Sequence, residues 1–421
     1  MTSQAPLRTK KNTLLSCLAV ATVTLLVFVL AGEAFFRWRA RGIDPGWETR
    51  LHPVAGMTYA PGTRVSWTNH VDFWVSQDVN REGFLDREPE AFTAPGPACR
   101  IALVGDSFLE ASQVALADKV QVRLEDLLRA SGLSARVRAY GFSGTGQAAQ
   151  LGFYEAFLRE KRPDVVVLFL VINDFADNSA LLTALRNGWD PVRGPRPLVL
   201  ADASRDTRTL TRVCPDWESH RLTPPPVAPG NRTLAALYRT SRLYRWLTPH
   251  LAKTFGRPRH VFSGEDHPAF DQTPEYARQL RDRPEFAAFF DRGETPPELT
   301  SERLDMDYLK PETAPFFDEG TAATAFALDQ WVSLSRRDGF RLVAFLTHCL
   351  AGPARDRFTA LLDQRGIPYA EQNDFARRQG LSPSTFTFQY DAHWNATGHR
   401  VAAEALAEFL LARNVCGQGN F

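Results

Sequence analysis

Two stretches decide the fold: RIALVG at residues 100–105 and DVVVLFLVI at residues 164–172. Both are apolar without alternation, so neither keeps a face for water, and short runs of this kind form strands buried on both sides of a parallel sheet. Between them, residues 119–130 (KVQVRLEDLLRA) set Val120, Leu124, Leu127 and Leu128 at helical spacing. Residues 135–140 read as a second strand and residues 147–160 as a second helix. Parallel neighbours need a crossover, so strand, helix, strand, helix, strand is the order of a doubly wound sheet. The pattern resumes with a helix over 321–337, a strand at 341–347, a helix over 354–365, a short strand at 367–370 and a last helix over 396–412. The expected fold is a flavodoxin-like three-layer α/β/α sandwich with about five parallel strands.

The chain has 421 residues, 44% of them hydrophobic, enough for a catalytic domain with appendages. Its formal net charge of +1 gives no electrostatic reason to expect nucleic acid, since phosphate binding needs clustered positive charge, so no nucleic acid partner is expected. Residues 13–32 carry no charge and are long enough to cross a bilayer as one transmembrane helix. Glu33, Phe35 and Phe36 follow where a cleaved signal would show small residues, which favours an uncleaved signal anchor. Arg8, Lys10 and Lys11 before it are matched by Arg37, Arg39 and Arg41 after it, so charge leaves the orientation open. The short N-terminal arm and large C-terminal part point to a single-pass membrane protein with a periplasmic or extracellular catalytic domain. The expected divisions are a cytoplasmic arm at 1–12, the anchor at 13–32, an extracytoplasmic linker rich in Trp, Pro and Gly at 33–97 that packs onto the domain, and a catalytic domain at 98–415. An insertion at about 176–316 breaks the alternation; its one clear helix, at 233–247, is expected to pack on the domain, with the membrane surface as the alternative. Of five cysteines, Cys99, Cys214, Cys349 and Cys416 lie outside the anchor, and their pairing is unreadable from sequence.

In an open parallel sheet, ligands sit beyond the carboxyl ends of the strands, so the residues there are the candidates. They are Gly105-Asp106-Ser107-Phe108, Gly141-Phe142-Ser143-Gly144, Asn173-Asp174, and, before the last helix, Asp391-Ala392-His393-Trp394-Asn395. Each residue also has a purely structural reading. Ser107 suits a helix cap, Asn173 and Asp174 suit another, His393 alone suits a packed loop, and the glycines around Ser143 suit a tight turn. Asn395 is expected to cap the last helix with His399 in its first turn, and His348 and Cys349 are expected to be satisfied core residues. The nine histidines show no metal-ligand spacing, and Gly144 and Gly146 are not continued to a third glycine, so neither a metal nor a cofactor is expected.

Taken together, the order, spacing and strand-end placement of these blocks resemble the SGNH (GDSL) hydrolase family over most of 78–412. Asp78-Val79-Asn80-Arg81-Glu82-Gly83-Phe84 and Asp177-Asn178 look like its membrane-anchored bacterial members. The resemblance implies Ser107 as nucleophile, His393 as its base and Asp391 as the group that orients the imidazole. It further implies an oxyanion hole from the backbone N–H of Ser107, the backbone N–H of Gly144 and the side-chain amide of Asn173. The sequence departs from the family twice. Asp391 and His393 are separated by one residue where two are common, an arrangement shared with alginate-type polysaccharide O-acetyltransferases, and Ile172 stands where a glycine is common. In an extended segment, residues two apart point to one side, which would bring Asp391 to the ring.

Three functions follow as expectations. The first is a serine esterase or deacetylase acting on acyl esters of an exported glycan or small molecule through an acyl-Ser107 intermediate. An O-acyltransferase for an envelope polysaccharide, which resolves the same intermediate with a sugar hydroxyl, is the second. The third is a non-catalytic envelope binding protein, for which the full set of Ser, Gly, Asn, Asp and His is unnecessary.

Overall fold

A computed structural model describes residues 7–41, 43, 46–94, 98–180, 182–183, 196–202, 207–212, 232–256 and 314–417. The chain divides into two compact units. The smaller holds residues 1–44, 68–74 and 226–267, and the larger the remainder. The proline run of the expected insertion and Cys214 lie outside the described residues.

In the smaller unit the helix Leu7–Arg39 contains, at Leu15–Arg39, a stretch long and apolar enough to cross a membrane, with its side chains exposed from Leu15 to Leu30. The helix expected at 233–247 is instead two helices, Arg232–Thr240 and Arg242–Phe255. Ser241 separates them because its hydroxyl accepts from Tyr244 N–H as an N-cap. The second helix packs on the apolar helix itself. Glu33 accepts from Ser241 Oγ and the backbone N–H of Arg242 and Leu243, and Phe36 stacks on Trp246 at 5.1 Å.

The larger unit begins within the expected linker, and residues 46–67 and 75–94 supply strands and core residues to it. Strands β1 (Thr49–His52) and β2 (Gly56–Tyr59) form an antiparallel pair, and β3 (Arg64–Thr68) and β4 (Trp74–Asp78) a second two-stranded sheet. Met57, Tyr59, Val65, Val79, Phe84 and Phe92 are buried in the larger core cluster. The sequence hides this because the apolar residues are spread singly among turns.

Next come β5 (Cys99–Gly105), β6 (Ala135–Gly141) and β7 (Val165–Leu170), then the antiparallel pair β8 (Pro197–Asp202) and β9 (Thr207–Arg212), and finally β10 (Arg341–Leu346) and β11 (Tyr369–Glu371). The main sheet has the order β11-β10-β7-β5-β6, and every pairing in it is parallel. This is the flavodoxin-like order, in which the winding reverses between the first strand, β5, and the third, β7.

Alternate residues of each strand serve opposite cores. Val166, Leu168 and Leu170 join one cluster with Trp331 and Phe358, while Val165, Val167 and Phe169 join the other with Leu124, Leu406 and Leu410. Helices Gln147–Phe153, Ala314–Asp338 and Gly352–Gln364 therefore cover one face, and Val120–Ala130, Gln372–Arg378 and Ala396–Ala412 the other. Burying each such side chain contributes about 1.5–3 kcal/mol, which explains why β7 tolerates no polar residue. The helix expected through residue 160 ends its α-helical part at Phe153 and continues as a π turn, Tyr154–Leu158. Cys99 at the start of β5 is disulfide-bonded to Cys416 beyond the last helix, with a sequence separation of 317.

Candidate active site

The reversal of winding leaves a crevice at the carboxyl ends of β5 and β7, and the four sequence blocks meet there. After β5 the chain turns into the short helix Ser107–Glu110, whose N-cap is Asp106; its carboxylate accepts from Phe108 N–H at 3.0 Å. Ser107 is thus the first helical residue and not the cap, and its hydroxyl lies 3.3 Å from Asp106 Oδ2. Ser107 Oγ lies 2.8 Å from His393 Nε2, across a sequence separation of 286.

His393 Nδ1 lies 2.6 Å from Asp391 Oδ1, and the same oxygen accepts the backbone N–H of His393 at 2.9 Å. Residues 392–393 form a bend, so the segment is not extended as the one-residue spacing suggested. An aspartate accepting from the backbone two residues on is a local turn, and here the turn itself delivers the carboxylate to the ring. With Nδ1–H donated to Asp391, Nε2 is the free acceptor for the Ser107 proton. Burial lowers the pKa of this imidazole, but the hydrogen bond to Asp391 and the negative charges of Asp391, Asp106 and Glu110 outweigh it, and the net shift is upward. The ring of Phe108 packs against His393 at a centroid distance of 5.1 Å.

Among the described residues, neither Ser107 N–H nor Gly144 N–H donates a hydrogen bond within the chain. Gly144 has φ 68°, a left-handed conformation that favours glycine. Asn173 is engaged differently from the expectation. Its amide donates to Asp106 Oδ2 at 3.2 Å and to Asp177 Oδ2 at 2.8 Å, so both of its hydrogens are taken by carboxylates. To serve an oxyanion, the Asn173 amide must give up one of these bonds. Asp174, expected as a helix cap, instead accepts from Gln147 Nε2 and Val171 N–H from the start of its helix.

Asp106, Asp174 and Asp177 are all fully buried. Burial raises the Asp106 pKa to about 6, against the lowering effects of Phe108 N–H, the charge of His393 and the Asn173 amide. Asp174 is pushed well up by burial and by Asp106. Ile172 is half-buried and packs against the larger core cluster.

The other candidates take structural places. Ser143 is exposed and its N–H donates to Glu110 Oε2; His393 engages Ser107. Asn395 caps the last helix, accepting from Thr397 and Gly398 N–H, and His399 is buried in its first turn, with its pKa lowered to about 3 by burial. His348 accepts from Trp394 Nε1 at 2.8 Å, and burial lowers its pKa to about 4. Cys349 is unpaired, and burial raises its thiol to about 11, so it is no nucleophile at neutral pH. Among the described residues no group of three or more His, Cys, Asp or Glu is arranged to hold a metal ion. Sequence reasoning quoted Asp106 and Asp177 within its motifs but gave neither a role, and it did not single out Glu110.

No family model matches the sequence, and no curated protein matches it. Among solved structures, the chain is similar to one described as TesA, with a TM-score of 0.34 and 12% identity, over 74% of this chain and 97% of that one. It is also similar to a variant of an acetylxylan esterase from Geobacillus stearothermophilus, with a TM-score of 0.33 and 12% identity, over 76% and 94% of the two chains. A lipase/acylhydrolase from Enterococcus faecalis has a TM-score of 0.31 and 10% identity, over 74% and 95%.

Proposed function

We propose that this chain is a serine hydrolase of ester bonds, acting on acyl esters of a glycan or small molecule through an acyl-Ser107 intermediate. The observation that carries the reading is the continuous relay from Ser107 Oγ to His393 Nε2 at 2.8 Å and from His393 Nδ1 to Asp391 at 2.6 Å. A serine hydroxyl is a poor nucleophile at neutral pH, and a neutral imidazole within hydrogen-bond reach supplies its activation.

In this mechanism Ser107 Oγ attacks the ester carbonyl carbon as its proton passes to His393 Nε2. Asp391 holds the imidazole in the competent tautomer and stabilises the imidazolium. The carbonyl oxygen becomes an oxyanion, received by the N–H groups of Ser107 and Gly144, and by the Asn173 amide once it releases a carboxylate. Collapse breaks the bond to the alcohol oxygen, which leaves with the proton from His393. Water then attacks the acyl-serine, giving its proton to His393, and the acid departs as Ser107 is reprotonated. No feature of the described residues favours a sugar hydroxyl over water in this last step.

We further propose that the apolar helix is an anchor, with the larger unit outside the cytoplasm. The Cys99–Cys416 disulfide supports this, because such bonds persist in oxidising compartments.

The test is covalent labelling of the full chain in detergent with a fluorophosphonate, followed by peptide mapping. An adduct on Ser107, lost in Ser107→Ala and kept in Ser143→Ala, is expected. A folded protein that does not react sinks the hydrolase reading. Assays with aryl acetate, with and without added glycan, separate transfer to water from transfer to a sugar.

A further inference from the structure

We propose that Glu110 is a positioning residue for this site, holding the loop that presents Gly144 N–H onto the helix that carries Ser107. The inference rests on the roles given above to Ser107 and Gly144, and it adds the element that sets the distance between them.

Glu110 is the last residue of the Ser107–Glu110 helix, and it is only 3% exposed. Its carboxylate accepts two hydrogen bonds, one from the hydroxyl of Tyr59 on β2 and one from the backbone N–H of Ser143, the residue before Gly144. The backbones are in contact as well. A Cβ on Gly141 would lie 2.4 Å from Glu110 N and 2.7 Å from the Leu109 carbonyl carbon, so only glycine lets β6 end this close to the nucleophile helix.

Glu110 is itself held in place. Its own carbonyl accepts from Lys119 Nζ at 2.6 Å, while the same ammonium donates to Leu85 O at 2.8 Å. Lys119 is fully buried, and the negative charges of Asp86 and Glu110 partly offset the desolvation that lowers its pKa to about 7. The titratable groups that interact with Glu110 are Tyr59, Lys119 and His393.

Burying a carboxylate carries a hydration cost that an apolar side chain of the same size avoids. A Leu or Met at position 110 would pack there without that penalty. What neither can do is accept the Ser143 N–H, and that bond sets the backbone from which Gly144 projects. Oxyanion donors work by being fixed before charge develops, so a loop tied to the nucleophile's own helix keeps donor and nucleophile in register. The carboxylate has a second effect through its charge, which adds to that of Asp391 and Asp106 in favouring protonated His393.

The test compares the full chain with Glu110→Gln and Glu110→Ala, using aryl acetate kinetics across pH, fluorophosphonate labelling rate and amide exchange over 141–146. The glutamine keeps an acceptor oxygen, so kcat is expected to stay within about tenfold of wild type at unchanged KM. Its acidic limb is expected to move to lower pH, because a negative charge that raises the His393 pKa is gone. The alanine has no acceptor, and kcat is expected to fall about ten- to a hundredfold, with faster exchange over 141–146. Alanine that keeps wild-type kcat and exchange overturns the inference, and so does a lower melting temperature with unchanged rate per folded molecule. Wild type that labels beside an alanine variant that labels equally fast sinks this inference alone. Wild type that does not label sinks the Ser107 reading and this one together.

Discussion

Replacing Asp391 by asparagine separates the two contributions of that side chain. In the structure one oxygen, Oδ1, accepts both the ring Nδ1–H of His393 and the His393 backbone N–H, at 2.6 and 2.9 Å. An asparagine can set its carbonyl oxygen in the same place, because the backbone N–H of His393 can donate only to the oxygen of the amide. The ring then keeps its tautomer, and what is lost is the charge. Hydrogen bonds to charged groups contribute ~1.5–3 kcal/mol and neutral ones ~0.5–1.5, so the imidazolium formed in the transition state loses about 1–2 kcal/mol. At ~1.4 kcal/mol per decade this is a roughly five- to thirtyfold fall in kcat/KM above the acidic limb. That is far below the ~10⁴-fold associated with a wrong tautomer. The limb itself moves as well. His393 must be neutral to accept the Ser107 proton, and its pKa lies above the ordinary 6.5; without the Asp391 charge the limb shifts to lower pH. Ester hydrolysis measured from pH 5 to 9 reads both effects. Unchanged kcat/KM with an unmoved limb refutes the relay, and a loss near 10⁴-fold refutes the shared-oxygen geometry, since it places the amide nitrogen against the ring.

Three further outcomes are expected. His348→Gln should leave the acidic limb in place above pH 5, because His348 stays neutral down to about 4; a shifted limb would reassign the base. Gly141→Ala drives a methyl into the backbone of Leu109 and Glu110, so a stability loss of ~1–3 kcal/mol with at least about tenfold lower activity is expected in denaturation and rate assays. An equally active and stable variant would show that the contact relaxes. Cys99→Ser opens a bond joining positions 317 apart and should lower unfolding free energy by ~2–5 kcal/mol, matched by wild type under reductant. Alkylation of both Cys99 and Cys416 in the oxidised native protein would contradict the pairing.

Much of the fold was legible because the signals are local. The β7 run reads as a doubly buried strand from six consecutive apolar residues, and the structure uses alternate ones on opposite faces. The last helix was bounded by its own cap at Asn395. Where local signals were mixed, the reading was coarser. Residues 46–94 read as a linker packed onto the domain, without the four strands they form, since a few buried side chains among Trp, Pro and Gly show no period; Tyr59 and Phe84 matter only through what they touch. The expected helix at 233–247 ignored Ser241, whose capping of Tyr244 N–H ends one helix and starts another. Glu110 was passed over because nothing near it in sequence says that it will meet a hydroxyl 51 positions earlier and an amide 33 positions later.

By itself, the sequence determined the five strands of the main sheet, their parallel sense, the placement of Ser107, Gly144, Asn173 and His393 just beyond strand ends or before the last helix, and one apolar helix long enough for a bilayer. Each follows from residue spacing along a few turns or a single strand. Only the tertiary structure decided which groups pair. It set His393 on Ser107 across 286 residues, turned Asp391 onto the ring through a bend, gave both Asn173 hydrogens to carboxylates and joined Cys99 to Cys416. Hydrogen bonds act over about 3 Å, and distances that short between remote residues are fixed only when the sheet closes and both cores are packed.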